Sequence, residues 1–181
     1  MCNSTNCGHT QALMEMTYNE LLRQTKTGET VRNSPRVSNA HKVQIQQVVL
    51  IPSTNEKTLT AKATTRTSKK SYETLIVFSG VSFFNEGGNG RQEIQVNDGS
   101  TYFIDPIRPY KSNVKVRCTC LDFYFRWSVW DQRDKALTGE PPEPYHRKTD
   151  TYPPVNPQQL SGVCKHIIAL TDYLKRERII R

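Results

Sequence analysis

The sequence predicts an α+β fold with a small antiparallel sheet, a helical segment near each end and an extended N-terminal arm. Residues 43–118 contain short runs in which apolar and polar side chains alternate, and this period of two is typical of strands. Near both ends of the chain, apolar residues recur at spacings of three and four, which indicates helices. We therefore divide the chain into an N-terminal arm with a short helix (1–41), an antiparallel β region (42–113) and a C-terminal region that ends in a helix (114–181).

The arm is predicted to form one short helix followed by a linker. Thr10 can cap a helix that runs to about Gln24, because apolar residues follow it at helical spacing and Gly28 comes after its end. Residues 25–41 are polar and contain Gly28 and Pro35, so we expect an irregular linker there.

Six segments between residues 43 and 118 have strand character. Residues 43–51 alternate and are expected to end at Pro52, whereas residues 59–68 alternate small and charged side chains and have little to bury. Residues 72–84 are the richest in β-branched and aromatic side chains. Residues 93–96 and 101–104 flank a sequence that favours a hairpin turn, and a short strand at 114–117 leads into two cysteines.

The C-terminal region combines a long loop with a helix. Residues 131–160 contain six of the ten prolines of the chain, which predicts a stiff, irregular loop. A helix is expected from about Gly162 to Arg178. Its buried stripe would consist of Val163, Ile167, Leu170 and Leu174.

Composition restricts the compartment that we expect for the chain. The longest apolar cluster, residues 75–84, is interrupted by polar residues and is far shorter than the roughly 18 residues that cross a bilayer. The N-terminus has no basic segment followed by an apolar run, so we predict no signal peptide and a soluble, cytoplasmic protein. Five cysteines, an odd number, argue against a disulfide framework and leave reduced thiols for a metal.

The net charge of +8 is concentrated in the first part of the chain. Residues 1–70 contain ten Lys and Arg against four Asp and Glu, a balance that suits nucleic acid or an acidic protein surface. Within this part, the segment from Lys57 to Lys70 has five basic residues and no acid. It is interpreted either as a strip that binds phosphates or as a solvated edge strand guarded by lysines, and the second interpretation is favoured.

Two short pairs of metal-binding residue types carry the strongest chemical signal: Cys118-Thr119-Cys120 and Cys164-Lys165-His166. Tetrahedral Zn²⁺ prefers four such thiolate and imidazole ligands. In extended backbone, residues two apart project to the same side, so Cys118 and Cys120 can act together at the end of a strand. Inside a helix they would diverge, so Cys164 must lie at or before the first turn, with His166 just inside it.

This pattern resembles the SWIM-type zinc finger, in which Cys-x-Cys, a variable spacer and Cys-x-His at the start of a helix bind one zinc ion. The likeness covers residues 114–175 and includes the flanking segments 121–123 and 161–163. The resemblance implies that Cys118, Cys120, Cys164 and His166 are the zinc ligands of the region 114–181. The spacer of 43 residues, 121–163, is longer than is usual for that family.

Zinc with four protein ligands has no open position for water, so the ion is predicted to be structural. Asp122 is the only nearby carboxylate, and it is better interpreted as a turn residue or a hydrogen-bond acceptor near the site than as a general base. No phosphate-binding glycine loop, nucleophile elbow or carboxylate pair is found, so we predict that the chain is not an enzyme. Chelation is expected to unfold residues 114–181 before the sheet.

Several weaker features have two interpretations each. Cys2, Cys7 and His9 form a second metal site or are free surface residues, and the second interpretation is favoured because only three ligands are visible. His41 and His146 are interpreted as surface residues. The aromatic segment 123–130 is a platform on which bases stack or, as favoured, part of the core around the zinc site.

Two functions follow. The segments around the two ligand pairs resemble small SWIM-like proteins of tailed bacteriophages, which implies a structural protein of the virion neck, tail or baseplate, present in multiple copies with other protein subunits. The alternative is a zinc protein that binds nucleic acid through its basic N-terminal region. Acidic residues in the spacer, among them Asp131, Asp134, Glu140, Glu143 and Asp150, weigh against the alternative.

Overall fold

A computed structural model describes residues 15–27, 36–68, 70–88, 90–143, 151 and 154–181. The predicted α+β class is confirmed: two small antiparallel sheets are combined with helices, and the C-terminal helix begins beside the four predicted ligands. Thr10, Cys2, Cys7, His9 and His146 lie outside the described residues. None of the helices in the described ranges has the length and hydropathy needed to cross a membrane.

The first helix, α1 (Tyr18–Thr27), begins eight residues after the predicted cap. Thr17 caps it reciprocally: the Thr17 hydroxyl accepts a hydrogen bond from the Glu20 amide at 3.3 Å, and the Glu20 carboxylate accepts one from the Thr17 amide at 2.8 Å. Tyr18 and Leu21 are buried. The described part of the predicted arm therefore packs into the core.

The predicted linker contains a short helix, α2 (Arg36–Ala40), so the prediction of an irregular segment is wrong for these residues. Ala40 is buried, and Arg36 makes two hydrogen bonds to Asp122. These distant contacts stabilise a turn of helix that the local sequence does not predict.

A four-stranded antiparallel sheet in the order β1-β2-β3-β7 forms the larger layer. Its first strand, β1 (Gln44–Ser53), runs past Pro52, which pairs with Leu59. The predicted end at Pro52 is wrong because β1 is an edge strand, where a missing N–H group is tolerated. A bulge between Ile45 and Gln47 shifts the alternation by one residue, so Leu50 is buried and Ile51 is exposed.

The second strand, β2 (Thr58–Thr67), lies in the middle of this sheet, so the interpretation of this segment as an edge strand is wrong. It buries alternate side chains, one large and three small, and these buried residues are Leu59, Ala61, Ala63 and Thr65. Small residues suffice here because α5 packs on the same face of the sheet.

The predicted long strand 72–84 is divided into β3 (Lys70–Ser79) and β4 (Phe83–Phe84). Gly80 has a φ of +74°, a conformation that favours glycine and ends β3. β4 belongs to a second sheet, in which β6 (Thr101–Ile104) lies between β4 and β5 (Gln92–Gln95). The predicted hairpin between β5 and β6 is confirmed.

The last strand, β7 (Val114–Cys118), leads into two short helices, α3 (Leu121–Arg126) and α4 (Ser128–Arg133). In the aromatic segment, Phe123 and Trp127 are buried while Tyr124 and Phe125 are exposed. The favoured interpretation, that this segment is part of the core, therefore holds for Phe123 and Trp127. These two residues are four apart, which is the spacing of one helix face.

The C-terminal helix, α5 (Lys165–Arg176), covers the inner face of the larger sheet. Its predicted buried stripe is confirmed, since Val163, Ile167, Leu170 and Leu174 are fully buried. After the helix, Ile180 pairs with Ile107, which ties the end of the described chain to the core.

Candidate metal centre

The first ligand pair lies where β7 passes into α3. Cys118 is the last residue of β7, and Cys120 is the N-cap of α3 with an extended backbone (φ −74°, ψ 147°). The Cys120 sulfur accepts a hydrogen bond from the Phe123 amide at 3.4 Å. Because the backbone from Cys118 to Cys120 remains extended before the helix begins, both thiols are placed on the same side.

The second pair lies at the start of α5. Cys164 is the N-cap (φ −83°, ψ 167°), and His166 is the second residue of the helix. This is the placement that the Cys-x-His spacing requires. The approach to the helix is held by two hydrogen bonds: the Val163 amide donates to Thr25 Oγ1 and the Gly162 amide donates to Asp131 Oδ1, each at 2.8 Å.

The fold brings the four predicted residues together. The ligand atoms of Cys118, Cys120, Cys164 and His166 lie within 4.8 Å of one another, and all four residues are buried. The sulfur atoms of Cys118 and Cys164 are each 3.8 Å from His166 Nδ1. Three thiols and one imidazole that converge in this way could hold a metal ion.

The other ring nitrogen of His166 is engaged by the sheet. Nε2 lies 3.0 Å from the hydroxyl of Thr67, and the His166 ring centroid is 4.6 Å from that of Tyr72. A ring that binds metal through Nδ1 carries its proton on Nε2, and the Thr67 hydroxyl is positioned to accept it. Thr67 and Tyr72 therefore fix the orientation in which Nδ1 faces the cysteines.

A pair of threonines supports Cys118. Thr74 Oγ1 lies 3.6 Å from the Cys118 sulfur and 3.0 Å from Thr65 Oγ1. The Thr65 hydroxyl also contacts the Tyr72 carbonyl at 3.2 Å. These threonines were not predicted to support the site. For Thr65 and Thr67 the available signal was their alternate spacing in β2, which gains meaning only once β2, β3 and β7 are known to be neighbours. No local pattern marks Thr74 in β3.

The thiols are not equivalent in the metal-free cluster. Hydrogen bonds from Cys120 and Cys164 lower the pKa of Cys118 to about 4. Donation to Cys118 raises the pKa of Cys120, and burial raises the pKa of Cys164. One thiolate is thus stabilised by two thiols, and a cation bound among the sulfurs would favour ionisation of all three.

The other predicted candidates lie apart from this cluster. Asp122 Oδ1 is 2.6 Å from Arg36 and 3.4 Å from Arg126, and Oδ2 also accepts a hydrogen bond from Arg36, so the carboxylate forms ion pairs near the site. His41 is exposed, as predicted. Within the described residues, Cys118, Cys120, Cys164 and His166 form the one group whose ligand atoms converge in this way.

A scan against protein-family models found no match, and searches of curated proteins and of solved structures found none either. The resemblance to the SWIM-type zinc finger therefore stays a prediction. The class of site is clear from the cluster itself, which is a candidate metal centre of three cysteines and one histidine.

Proposed function

We propose that the centre binds one zinc ion. Three thiolates and an imidazole are the soft and borderline ligands that Zn²⁺ prefers, and hard cations such as Ca²⁺ or Mg²⁺ select oxygen instead. Tetrahedral zinc, with bonds of about 2.3 Å to sulfur and 2.0 Å to nitrogen, places its ligand atoms roughly 3.5–3.8 Å apart. The separations of 3.8 Å between His166 Nδ1 and two sulfurs lie at the upper end of that range, and all four ligand atoms lie within 4.8 Å of one another, so the cluster would contract slightly around a bound ion.

We further propose that this zinc is structural and that the chain is a non-catalytic interaction protein of a large assembly. The observation that carries the proposal is the closed, buried set of four protein ligands, which provides no position for a reacting water. Asp122, the nearest carboxylate considered as a base, is held by Arg36. The resemblance of the ligand segments to small phage proteins favours a virion component of the neck, tail or baseplate.

Metal analysis of the purified chain tests the zinc proposal. We expect about one equivalent of zinc in the wild type and in a Cys7→Ala control, and a loss of most zinc in Cys120→Ala. Less than half an equivalent in the wild type, unchanged in Cys120→Ala, would refute the proposal. Two equivalents that fall to one in Cys7→Ala would instead reveal a second site at the N-terminus.

Purification from the native source tests the assembly. We expect the chain to sediment in large particles together with other protein subunits. Recovery only as a free chain, with zinc bound, would leave the metal proposal intact and overturn the virion proposal.

The alternative, a nucleic-acid-binding zinc protein, draws on the net charge of +8. The structure weakens one part of it: in the basic segment, Lys62 pairs with Glu73 at 2.7 Å and Arg66 donates to the Ser68 carbonyl. A mobility-shift assay with DNA distinguishes the two functions, because phosphate binding weakens steeply as salt increases.

A further inference from the structure

A groove lies beside the metal centre, at the start of α3. Its volume is about 580 Å³, and its lining includes Lys70, Tyr72, Leu121 and Lys165. Cys120 and His166 also line it, so a metal bound at the candidate centre would hold part of its wall in place. We call this cavity the α3 groove.

An apolar stripe continues from the groove along α3 and α4. Leu121, Phe125 and Val129 are four residues apart and are 64%, 41% and 44% exposed. Leu121 separates the α3 groove from a second cavity of about 360 Å³ that is lined in part by Phe123 and Tyr124. Exposed apolar side chains that are contiguous in this way mark surfaces that bind other proteins.

The charge around the α3 groove is positive. Lys70 and Lys165 line it, and the carboxylate of Asp122, which also lines it, forms ion pairs with Arg36 and Arg126. A divalent ion with three thiolates would carry a net charge of −1, but its ligands are buried beneath the groove. An occupant with acidic groups therefore complements the two lysines at the surface.

These features select among possible occupants. A second copy of the chain carries a net charge of +8, and among the acidic residues of its spacer Asp131 is buried and Asp134 is paired with Arg133, so it would bring mainly like charge. A nucleic acid strand would satisfy the two lysines, yet its bases stack on aromatic rings and would leave the aliphatic side chains of Leu121 and Val129 without a matching partner. An acidic protein segment with an apolar side chain complements both the lysines and the stripe.

We propose that the α3 groove and its stripe are the docking site for an acidic segment of a partner protein. An apolar side chain of the segment packs between Tyr72 and Leu121, and its carboxylates pair with Lys70 and Lys165. This proposal rests on the proposed function as an interaction protein and deepens it by giving the surface and the chemistry of the partner.

Selection from a displayed library of random 12-residue peptides tests the proposal, with the full zinc-loaded chain as the target. We expect the selected peptides to combine Asp or Glu with at least one large apolar residue. The variant Lys70→Glu/Lys165→Glu should weaken their binding by about tenfold or more, as should Leu121→Asp. The matched control Lys115→Glu/Lys135→Glu reverses two lysines near another cavity and should change binding less than about twofold.

Two results with peptides would overturn the proposal: no enrichment of acidic peptides, or selected peptides that bind the groove variants as tightly as the wild type. Two other results would assign the groove to another occupant and overturn it as well. These are binding of a dT12 oligonucleotide that the groove variants lose, and self-association of the chain that Leu121→Asp abolishes. Zinc content and melting temperature are measured on every preparation. A chain without zinc would contradict the proposed function, whereas a zinc-loaded, folded chain that selects no acidic peptide contradicts only the docking site.

Discussion

His166 Nε2 lies 3.0 Å from Thr67 Oγ1, so the ring nitrogen that faces away from the cysteines is held by a strand 99 residues earlier in the chain. This contact connects the metal centre to β2, which contributes none of the four ligands. It also assigns the two nitrogens of the ring their separate roles.

Thr67→Val should therefore weaken metal binding without removing a ligand. We expect the affinity for zinc to fall about 10–100-fold, because the hydrogen bond that orients the imidazole is lost. Competition with a chromophoric chelator measures the change. Thr67→Ser should retain most of the affinity, and Thr64→Val, on the opposite face of β2, serves as the control. Equal affinities for Thr67→Val and wild type would show that Thr67 does not orient the ring.

Chelation should unfold the chain in one transition, which revises the expectation that residues 114–181 unfold first. β7 is hydrogen-bonded to β3 within the larger sheet, and α5 covers the inner face of that sheet. Loss of the metal removes the common anchor of both elements. Tryptophan fluorescence and far-ultraviolet circular dichroism should thus change at the same chelator concentration. A circular dichroism signal of the sheet that persists after the fluorescence has changed would instead show that residues 114–181 unfold first.

Asp131 should make stability depend on pH. Burial holds the pKa of Asp131 well above its usual range, so the folded chain retains a proton that the unfolded chain releases above pH ~4. The free energy of unfolding should therefore decrease as pH rises, by at most about 1.4 kcal/mol per pH unit, until the folded-state pKa is passed. Urea unfolding of the zinc-loaded wild type and of Asp131→Asn between pH 5 and about 7.5 measures the difference. Parallel pH profiles for the two proteins would contradict the prediction.

Gly162→Ala should destabilise the approach to α5. A Cβ at this position would lie 2.7 Å from both Thr25 Oγ1 and the Trp127 ring, in a fully packed part of the core. We expect a loss of about 1–3 kcal/mol in the free energy of unfolding, since overpacking forces neighbouring side chains to shift. Gly87→Ala is the comparison: its Cβ would lie 2.9 Å from the ring of the half-buried Phe103, which has more room to shift, so a smaller loss is expected. Equal stabilities of Gly162→Ala and wild type would mean that the core adapts without strain.

The arrangement within each ligand pair was predictable from local geometry, whereas the meeting of the two pairs was expected from the resemblance to the SWIM-type pattern. Cys118 and Cys120 need extended backbone after a strand, and Cys164 and His166 need a helix start, and both conditions are visible in a few neighbouring residues. The stripe of α5 was predictable for the same reason. Its buried residues recur with the helical period, whatever they pack against.

The features that the sequence did not predict depend on distant parts of the chain. The bulge in β1 reverses which of Leu50 and Ile51 is buried, and nothing in the local pattern marks it. β2 has one large apolar residue, Leu59, and the basic residues of its segment made it resemble an edge strand, although its neighbours on both sides make it central. Thr67 and Thr74 acquire their roles only because tertiary structure places β2 and β3 beside the ligands.

The edge strand β1 has a consequence for the behaviour of the chain in concentrated solution. An exposed edge is a template for strands of other molecules, and continued addition leads to fibrous aggregates. Pro52 removes one donor from β1, and the bulge at Ile45 and Gln47 interrupts its register. At the opposite edge, β7 is covered by Leu137, which pairs with Val116. We therefore expect many copies to be crowded together without polymerising through their sheets, a property that a repeated part of a larger particle needs.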